Sequence, residues 1–497
     1  MKNLKIVLRD TGAVLIAVGV ITVFINFISF IFGEYFAIKW FFLTTLLFIA
    51  VGSLFRACGK TDDEAKIRHA MITAALSWII ISIISAIPFY FIVNEYYIPA
   101  MMEINPNIHF DFLSALFESV AGWTGTGLTM ISDPELLSHT IQFWRSFIQW
   151  IGGVGVIVLT LVVLARPGTG SFTLYRSEAR EEKIHPSIIS TVKTIWWIFL
   201  LYTAIGIVML FLGGMPLWEA INHAMTGLAT GGFSITKNSM SDYPTLTQAL
   251  IIPLMVAGAI AFSTHYELLK GRIKNFFKDI QTQALLFLLI LGTILLTIFN
   301  FYHGDFPNFL ASFKHSGFQF FSALTCTGFS TANIATWPEE AKFLISLAMI
   351  AGGAAGSTAG GIKLFRLILL TKGVGWKIKR VFLPSKTTFP YRLAGKSLGK
   401  EEAIEEISEA AVVSFLWMLL LFIGVLVLLY TTEQSLDNVF FEVCSAQGNV
   451  GLSVGITGLG MNAIAKFMLI LNMWIGRLEI IPILVLARAI LKGGKIF

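Results

Sequence analysis

Long apolar runs separated by short polar segments make up most of the chain. Ten of them reach or exceed the ~20 residues that a helix needs to cross the ~30 Å hydrocarbon core of a bilayer. They lie at residues 11–32, 36–58, 70–93, 142–164, 192–212, 246–269, 282–302, 342–370, 403–430 and 463–491. The pattern predicts an all-α, polytopic membrane protein.

Four further apolar runs are shorter and are typical of re-entrant helices. They cover residues 110–121, 217–228, 309–324 and 437–446. Each leads into a loop in which glycine is followed by Leu or Phe and then by Ser or Thr. We name these glycine loops L1 (123–129), L2 (229–234), L3 (325–330) and L4 (448–453). Irregular backbone persists at membrane depth only where it is buried in protein or lines a water-filled cavity, so the loops are predicted to surround one central pore.

The order span, short helix, glycine loop, span occurs four times, which predicts four K⁺-channel-like repeats after two N-terminal helices. The predicted units are residues 1–60, 61–180, 181–278, 279–400 and 401–497. A second glycine follows each loop glycine after 24 to 26 residues; the pairs are Gly127 and Gly152, Gly232 and Gly258, Gly328 and Gly352, and Gly451 and Gly476. The alternative is that these are ordinary glycines of closely packed membrane helices.

The glycine loops offer backbone carbonyls and hydroxyls, without an Asp or Glu. Carbonyl oxygens can replace the water shell of a large, weakly hydrated monovalent cation. Glycine permits the backbone angles that turning successive carbonyls inward requires, and each short helix would aim the partly negative end of its dipole at the pore. The candidate filter residues are Thr124, Gly125, Thr126, Gly127, Thr230, Gly231, Gly232, Thr325, Cys326, Thr327, Gly328, Asn449, Val450 and Gly451.

A run of small residues at 351–361 interrupts the last span of the third repeat. Glycine weakens a helix by up to ~1 kcal/mol per residue, so we expect a broken helix whose loop lies in the permeation path as a movable gate. Arg477 lies within the final span, where a charge is costly and usually functional, either as a positive barrier in the pore below the filter or as the partner of a movable element. Its alternative is a structural ion pair with Glu479, Glu118 or Glu442. The candidate gate residues are Gly352, Gly353, Gly356, Ser357, Thr358, Gly360, Gly361 and Arg477.

Charge and composition refine this prediction. Only 13% of the residues are charged, against about 25% in soluble domains. Most Lys and Arg residues fall in loops on one side of the predicted spans, which makes that side the cytoplasm and places both termini there. The net charge of +6 therefore reflects topology and predicts no nucleic-acid partner. The chain shows no nucleotide, metal or catalytic motif, so no cofactor on this chain and no enzymatic activity are predicted.

Several motifs together resemble the Trk/Ktr/HKT superfamily of potassium transporters, and the two extra N-terminal spans resemble its TrkH branch. The resemblance covers essentially the whole chain. The motifs that carry it lie at residues 118–122 leading to 126–127, and at 149–153, 230–234, 314–319, 356–363 and 475–479. In L1, Gly125 is an additional glycine where related sequences often have Thr or Val.

The resemblance implies potassium uptake across a bacterial cytoplasmic membrane. It matches Gly127, Gly232, Gly328 and Gly451 to the four filter glycines, residues 352–361 to an intramembrane gating loop, and Arg477 to a pore arginine. It further implies a homodimer within the lipid bilayer, controlled by a cytosolic TrkA-type ring. That ring would bind NAD(H) or ATP/ADP, so these nucleotides are expected on the partner. The basic stretch 372–400 is a candidate docking surface, although positive-inside topology explains its charges equally well.

Two mechanisms remain open at this stage. A passive, gated K⁺ pathway fits four loops of one orientation. A secondary transporter that couples K⁺ to H⁺ or Na⁺ is the alternative.

Overall fold

The computed structural model describes residues 2–103, 108–164, 188–384, 390–394 and 396–491. These residues form an α-helical bundle with one short β-hairpin, which confirms the predicted fold class. The helices are α1 (Lys2–Thr22), α2 (Ile25–Ile31), α3 (Tyr35–Cys58), α4 (Ile67–Ile92), α5 (Ile98–Met102), α6 (Phe112–Trp123), α7 (His139–Leu164), α8 (Ile188–Leu212), α9 (Leu217–Leu228), α10 (Thr245–Ala259), α11 (Phe262–Leu269), α12 (Ile273–Lys278), α13 (Ile280–His303), α14 (Phe309–Leu324), α15 (Glu339–Ala351), α16 (Leu364–Val381), α17 (Lys400–Thr431), α18 (Leu436–Gly448), α19 (Ala463–Leu478) and α20 (Ile481–Leu491). The strands are β1 (Tyr391–Leu393) and β2 (Lys396–Leu398), which pair antiparallel.

The four short apolar runs form helices α6, α9, α14 and α18, each followed directly by its glycine loop. The bounds of α9 and α14 agree with the sequence prediction to the residue. The predicted connection at 166–187 lies outside the described residues, as do residues 385–389 and 395 of the basic stretch 372–400.

Among the described residues, six helices are long and apolar enough to cross a membrane, and eight if each of two bent pairs counts as one span. The remaining two of the ten predicted spans correspond to α7 and to the pair α15 and α16. The chain is thus a multi-pass membrane protein in which the short helices enter the bundle between longer ones.

Two predicted spans are wrong in detail because they are broken. α10 and α11 meet at an angle of 110°, and α19 and α20 at 113°. At the first break Ile260 is extended, and loop amides supply new donors to the last carbonyls of α10: Ala354 N lies 2.9 Å from Ala259 O, and Thr358 N lies 3.0 Å from Gly258 O. At the second break Glu479 and Ile480 both have left-handed φ values, 61° and 63°. A left-handed β-branched residue ends a helix sharply.

The N-terminal helices are joined to the first repeat through one carboxylate. Glu34, in the turn between α2 and α3, accepts hydrogen bonds from the backbone amides of His139 and Thr140, each at 2.8 Å. These amides begin α7, and a carboxylate there satisfies donors that a helix start leaves unpaired. α1 and α3 cross closely because Gly12 and Gly52 lie face to face, each with its Cα near the carbonyl of the other.

Candidate functional site

The four glycine loops form a closed ring. The central glycine of each loop is the one that is followed by Leu or Phe. A Cβ placed on it would overlap a carbonyl oxygen of the next loop in chain order, and a Cβ on the central glycine of the fourth loop would overlap a carbonyl oxygen of the first. The pairs are Gly127 with Gly231 O (2.1 Å), Gly232 with Thr327 O (2.0 Å), Gly328 with Val450 O (2.1 Å) and Gly451 with Thr126 O (2.2 Å). Only glycine fits between neighbouring loops at this distance, so the ring requires all four.

Each loop starts with the same helix cap. The residue two positions before the central glycine is left-handed in all four loops, with φ between 49° and 63°: Gly125, Thr230, Cys326 and Asn449. The amide that follows donates to a carbonyl five residues back in the short helix, as in a Schellman cap; these bonds run from Thr126 to Ala121, Gly231 to Thr226, Thr327 to Ser322 and Val450 to Ser445, at 2.8 to 2.9 Å. The caps use the amides of these four residues, and the carbonyls of the same residues are those that lie against the central glycine of the preceding loop. Gly125 thus occupies a position that is left-handed in every loop, and glycine adopts it with the least strain.

A second set of contacts fixes the outer end of each loop. The residue nine positions before each central glycine, on the short helix, contacts the hydroxyl two positions after that glycine. The pairs are Glu118 with Thr129 (2.9 Å), His223 with Ser234 (2.9 Å), Gln319 with Ser330 (2.9 Å) and Glu442 with Ser453 (2.7 Å). This explains why every loop has Ser or Thr there. The loop hydroxyls are evident from the sequence pattern. Their partners on the short helices become evident only when the four short helices are compared in register.

The ring is not strictly fourfold. Gln149 of α7 donates from Nε2 to Gly231 O at 2.6 Å and accepts from Phe233 N at 3.0 Å, so one ring carbonyl is shared with a side chain. Within the described part of the chain, L1 alone is fixed by a buried ion pair, in which Arg145 Nε lies 2.7 Å from Glu118 Oε1. Arg145 also donates to Ser234 O at 2.9 Å, which ties L1 to L2.

We expect Glu118→Ala to destabilise the protein strongly, because Arg145 would remain buried without its partner. Breaking a buried pair in this way costs about 3–5 kcal/mol. Thermal unfolding in detergent, followed by size-exclusion chromatography, measures the effect. The double variant Glu118→Met with Arg145→Met should recover much of the loss. Equal melting temperatures for Glu118→Ala and the wild type would contradict this role.

Lysines near the starts of the last helices join neighbouring repeats in the same cyclic order. Lys342 of α15 forms an ion pair with Asp437 and donates to Asn438 Oδ1 at 2.8 Å, at the start of α18. Lys466 of α19 donates to Ser114 Oγ at 2.9 Å, near the start of α6. A lysine of the third repeat thus contacts the start of the short helix in the fourth repeat, and a lysine of the fourth repeat contacts the start of the short helix in the first.

The second glycine of each predicted pair has a packing role in three repeats. A Cβ on Gly152, Gly258 or Gly476 would overlap the carbonyl oxygen of Trp123, Leu228 or Gln447, each four residues before a loop glycine. In the third repeat Gly352 instead ends α15 with φ of 70°. The regular spacing thus reflects close approach of the last helix to the end of the short helix, except where that helix is interrupted.

Residues 352–363 leave the helix between α15 and α16, as the sequence predicted. Thr358 anchors this segment: its Oγ1 lies 3.1 Å from Leu228 O and 2.9 Å from Gly258 O, and receives a hydrogen bond from Thr230 of L2 at 3.1 Å. Gly360 packs against the carbonyl of Gly448, where a Cβ would overlap it. The segment is therefore held against the inner ends of L2 and L4.

Arg477 joins this segment to the first repeat. Its Nη1 donates to Thr358 O at 2.7 Å, and its Nη2 donates to Gly152 O at 2.8 Å and to Gly153 O at 3.2 Å. The suggested ion pairs of Arg477 are wrong, because the three acids are otherwise engaged. Glu118 pairs with Arg145, Glu479 pairs with Arg366 at 2.6 Å, and Glu442 accepts hydrogen bonds from Ser453 and Thr457. Arg477 is instead a buried cation bound by carbonyl oxygens.

An open cavity of about 900 Å³ lies on the other side of the ring. All four central glycines line it, together with the hydroxyls of Thr129, Ser234, Ser330 and Ser453. Among the described residues its lining contains no carboxylate, and its charged side chains include Arg145 and Lys237. The structure thus brings together the sequence-predicted loop residues in a ring, with the cavity on one side and the 352–363 segment on the other.

These features define a multi-pass membrane protein built from four pore-loop repeats around one axis. The chain matches the TrkH family, described as a cation transport protein, over residues 37–497, and it belongs to that family. It is 36% identical over 485 residues to an uncharacterized cation transporter of Methanocaldococcus jannaschii, covering 98% of this chain and 95% of that protein. It is 32% identical over 454 residues to the Trk system potassium uptake protein TrkH of Escherichia coli K12, covering 89% and 90%. The crystal structure of the potassium transporter TrkH from Vibrio parahaemolyticus matches with a TM-score of 0.82 and 26% identity, over 97% of this chain and 98% of that chain.

Proposed function

We propose that this chain takes up potassium across a cytoplasmic membrane through a gated, channel-like pore. The observation that carries the proposal is the closed ring of four glycine loops, in which one loop carbonyl from each repeat lies against the central glycine of the preceding repeat. On the axis, K⁺ would exchange its hydration water for these carbonyl oxygens. The names of the Escherichia coli and Vibrio parahaemolyticus relatives, a potassium uptake protein and a potassium transporter, support the choice of ion.

In this proposal the fourteen loop residues named from the sequence form the filter. Of the five predicted units, residues 1–60 form the N-terminal helices and the other four units form the repeats around the pore. Segment 352–361 with Arg477 forms the gate. The gate is closed while Arg477 holds Thr358 beneath the ring, and a positive charge at that point also opposes a cation on the axis. Opening requires the segment to leave Arg477 and the carbonyls of α9 and α10.

The regulatory part of the proposal concerns a cytosolic partner. The Trk naming of the relatives is compatible with a homodimer controlled by a TrkA-type ring that carries NAD(H) or ATP/ADP. α16 presents the exposed cations Lys372, Lys377, Lys379 and Arg380 directly after the 352–363 segment. A partner bound there would act on the gate through a single helix. Both termini and this surface would then face the cytoplasm.

Rubidium flux tests the proposed function. The purified chain in liposomes should admit ⁸⁶Rb⁺ along a K⁺ gradient, and external K⁺ should block the flux much better than Na⁺. If the intact chain is closed without its partner, deletion of residues 352–361 should release the flux. Silence of both proteins, each shown to be folded, would contradict a pore. Flux that stops when the proton gradient alone is removed would favour the coupled transporter.

A further inference from the structure

An open cleft lies on the outside of the bundle between α8 and α11, away from the ring. Its volume is about 690 Å³, and its walls are mostly apolar; they include Trp197, Leu200, Leu201, Ala204 and Leu269. Trp197 is 72% exposed and lies in a candidate membrane span, where an exposed side chain contacts lipid. The cleft therefore faces the hydrocarbon of the bilayer, where an acyl chain can fill it.

Positive charge gathers at one end of this cleft. Lys270 lies at its mouth, and its Nζ is 5.1 Å from the ring centroid of Tyr266, which also lines the cleft. The following helix, α12, adds Lys274 and Lys278 beside the exposed apolar side chains of Ile273 and Phe277. Cations next to exposed apolar side chains are typical of a segment that lies in the headgroup region of a membrane.

We propose that this cleft binds an anionic phospholipid. One acyl chain lies between α8 and α11, and the headgroup phosphate lies against Lys270. Charge complementarity selects this occupant: a zwitterionic lipid would satisfy the apolar walls and also carries a phosphate, but the cation of its headgroup offsets the attraction to Lys270 and the cations of α12. The proposed orientation supports it as well, since residues 270–278 would lie in the cytoplasmic leaflet, which carries anionic lipids and attracts basic segments.

The site is connected to the 352–363 segment through α11. The first residue of that helix, Phe262, donates its amide to Gly356 O at 3.2 Å. Near the break before it, the carbonyl of Ala259 accepts from Ala354 N at 2.9 Å. A lipid held against Tyr266 and Leu269 restrains the other end of this eight-residue helix. Lipid occupancy therefore shifts the equilibrium between the closed and open positions of the 352–363 segment. This regulatory consequence rests on the proposed gate.

Lipid binding is tested independently of transport by quenching of tryptophan fluorescence. The protein is reconstituted in phosphatidylcholine vesicles that contain either brominated phosphatidylglycerol or brominated phosphatidylcholine, and the difference between wild type and Trp197→Phe isolates the signal of Trp197. We expect about fivefold tighter binding of the anionic lipid, the size expected for one lysine near a membrane surface. Lys270→Gln should abolish this preference, and Lys60→Gln, at an exposed lysine between α3 and α4, should keep it.

Equal quenching by the two lipids, or a preference that survives Lys270→Gln, would overturn the site. Absence of quenching of Trp197 by either lipid would also overturn it and would point to a second copy of the chain over the cleft, which cross-linking of Leu201→Cys would detect. A second arm compares ⁸⁶Rb⁺ flux with and without phosphatidylglycerol: the wild type should depend on it and Lys270→Gln should not. Flux that ignores phosphatidylglycerol would remove the regulatory link. Absence of flux in every membrane, for the intact chain and also after deletion of residues 352–361, would count against the proposed pore, while the quenching result would still decide the lipid site.

Discussion

Gly127→Ala is expected to abolish selective rubidium flux, whereas Gly125→Ala should largely retain it. Both glycines have positive φ, 78° and 63°, so alanine costs about 1–2 kcal/mol at either position. Their surroundings differ. A Cβ at position 127 would lie 2.1 Å from Gly231 O, a neighbouring backbone atom that has no room to move without opening the ring. At position 125 the nearest heavy atom beyond the adjoining residues is Arg477 Nη1, at 3.7 Å, an ordinary contact.

The two variants form a matched pair because they add the same atom to the same loop. Folding is checked by size-exclusion chromatography, and selectivity by the block of ⁸⁶Rb⁺ flux with K⁺ and with Na⁺. Gly232→Ser and Gly328→Ser should behave like Gly127→Ala, since each would overlap the carbonyl of the next loop. Wild-type selectivity in a folded Gly127→Ala protein would show that the ring does not select the ion. Loss of selectivity in both variants would show that backbone strain, and not contact around the ring, controls L1.

Arg477→Gln is expected to raise the basal flux by about tenfold or more. The guanidinium donates three hydrogen bonds to carbonyl oxygens, and hydrogen bonds to charged groups contribute about 1.5–3 kcal/mol each. The bond to Thr358 O is the one that reaches the segment, and losing it shifts the balance between closed and open segment by tenfold or more, because 1.4 kcal/mol corresponds to a factor of ten. The measurement is ⁸⁶Rb⁺ flux into liposomes without any partner protein.

Two further variants separate charge from contact in this gate. Arg477→Lys keeps the positive charge but cannot donate to Thr358 and Gly152 with the same fork, so an intermediate flux is expected. Thr358→Val keeps the shape of the side chain and removes the hydroxyl that contacts Leu228 O and Gly258 O, so it should also raise the flux. Unchanged flux in folded Arg477→Gln would remove Arg477 from the gate.

Local sequence patterns predicted the elements that depend on local forces. The length and apolarity of residues 217–228 and 309–324 sufficed for α9 and α14, and the glycines of the loops indicated backbone that only glycine tolerates. The interruption near residue 352 followed from the poor helix propensity of its residues. These features are encoded within a few residues of where they act, which is why the chain can be interpreted without its fold.

Features that depend on distant partners escaped the sequence analysis. The span at 246–269 is apolar throughout, and it breaks at Ile260 because Ala354 and Thr358, about a hundred residues later, supply amides to its carbonyls. The ion pair of Arg145 with Glu118 joins α7 to α6, and the sequence does not reveal which residues of these two helices face each other. The structural alternative for Arg477 named only acids as partners, whereas its actual acceptors are backbone carbonyls, which no residue pattern reveals.

The central claim is that a cation binds among the ring carbonyls, and X-ray diffraction from crystals grown in Rb⁺ or Tl⁺ tests it most directly. Anomalous difference density should show a peak on the axis between the carbonyls of Thr126, Gly231, Thr327 and Val450, and the peak should weaken when K⁺ replaces Rb⁺ but persist when Na⁺ is added. A peak elsewhere in the protein, or an empty ring in protein that transports Rb⁺, would contradict the account.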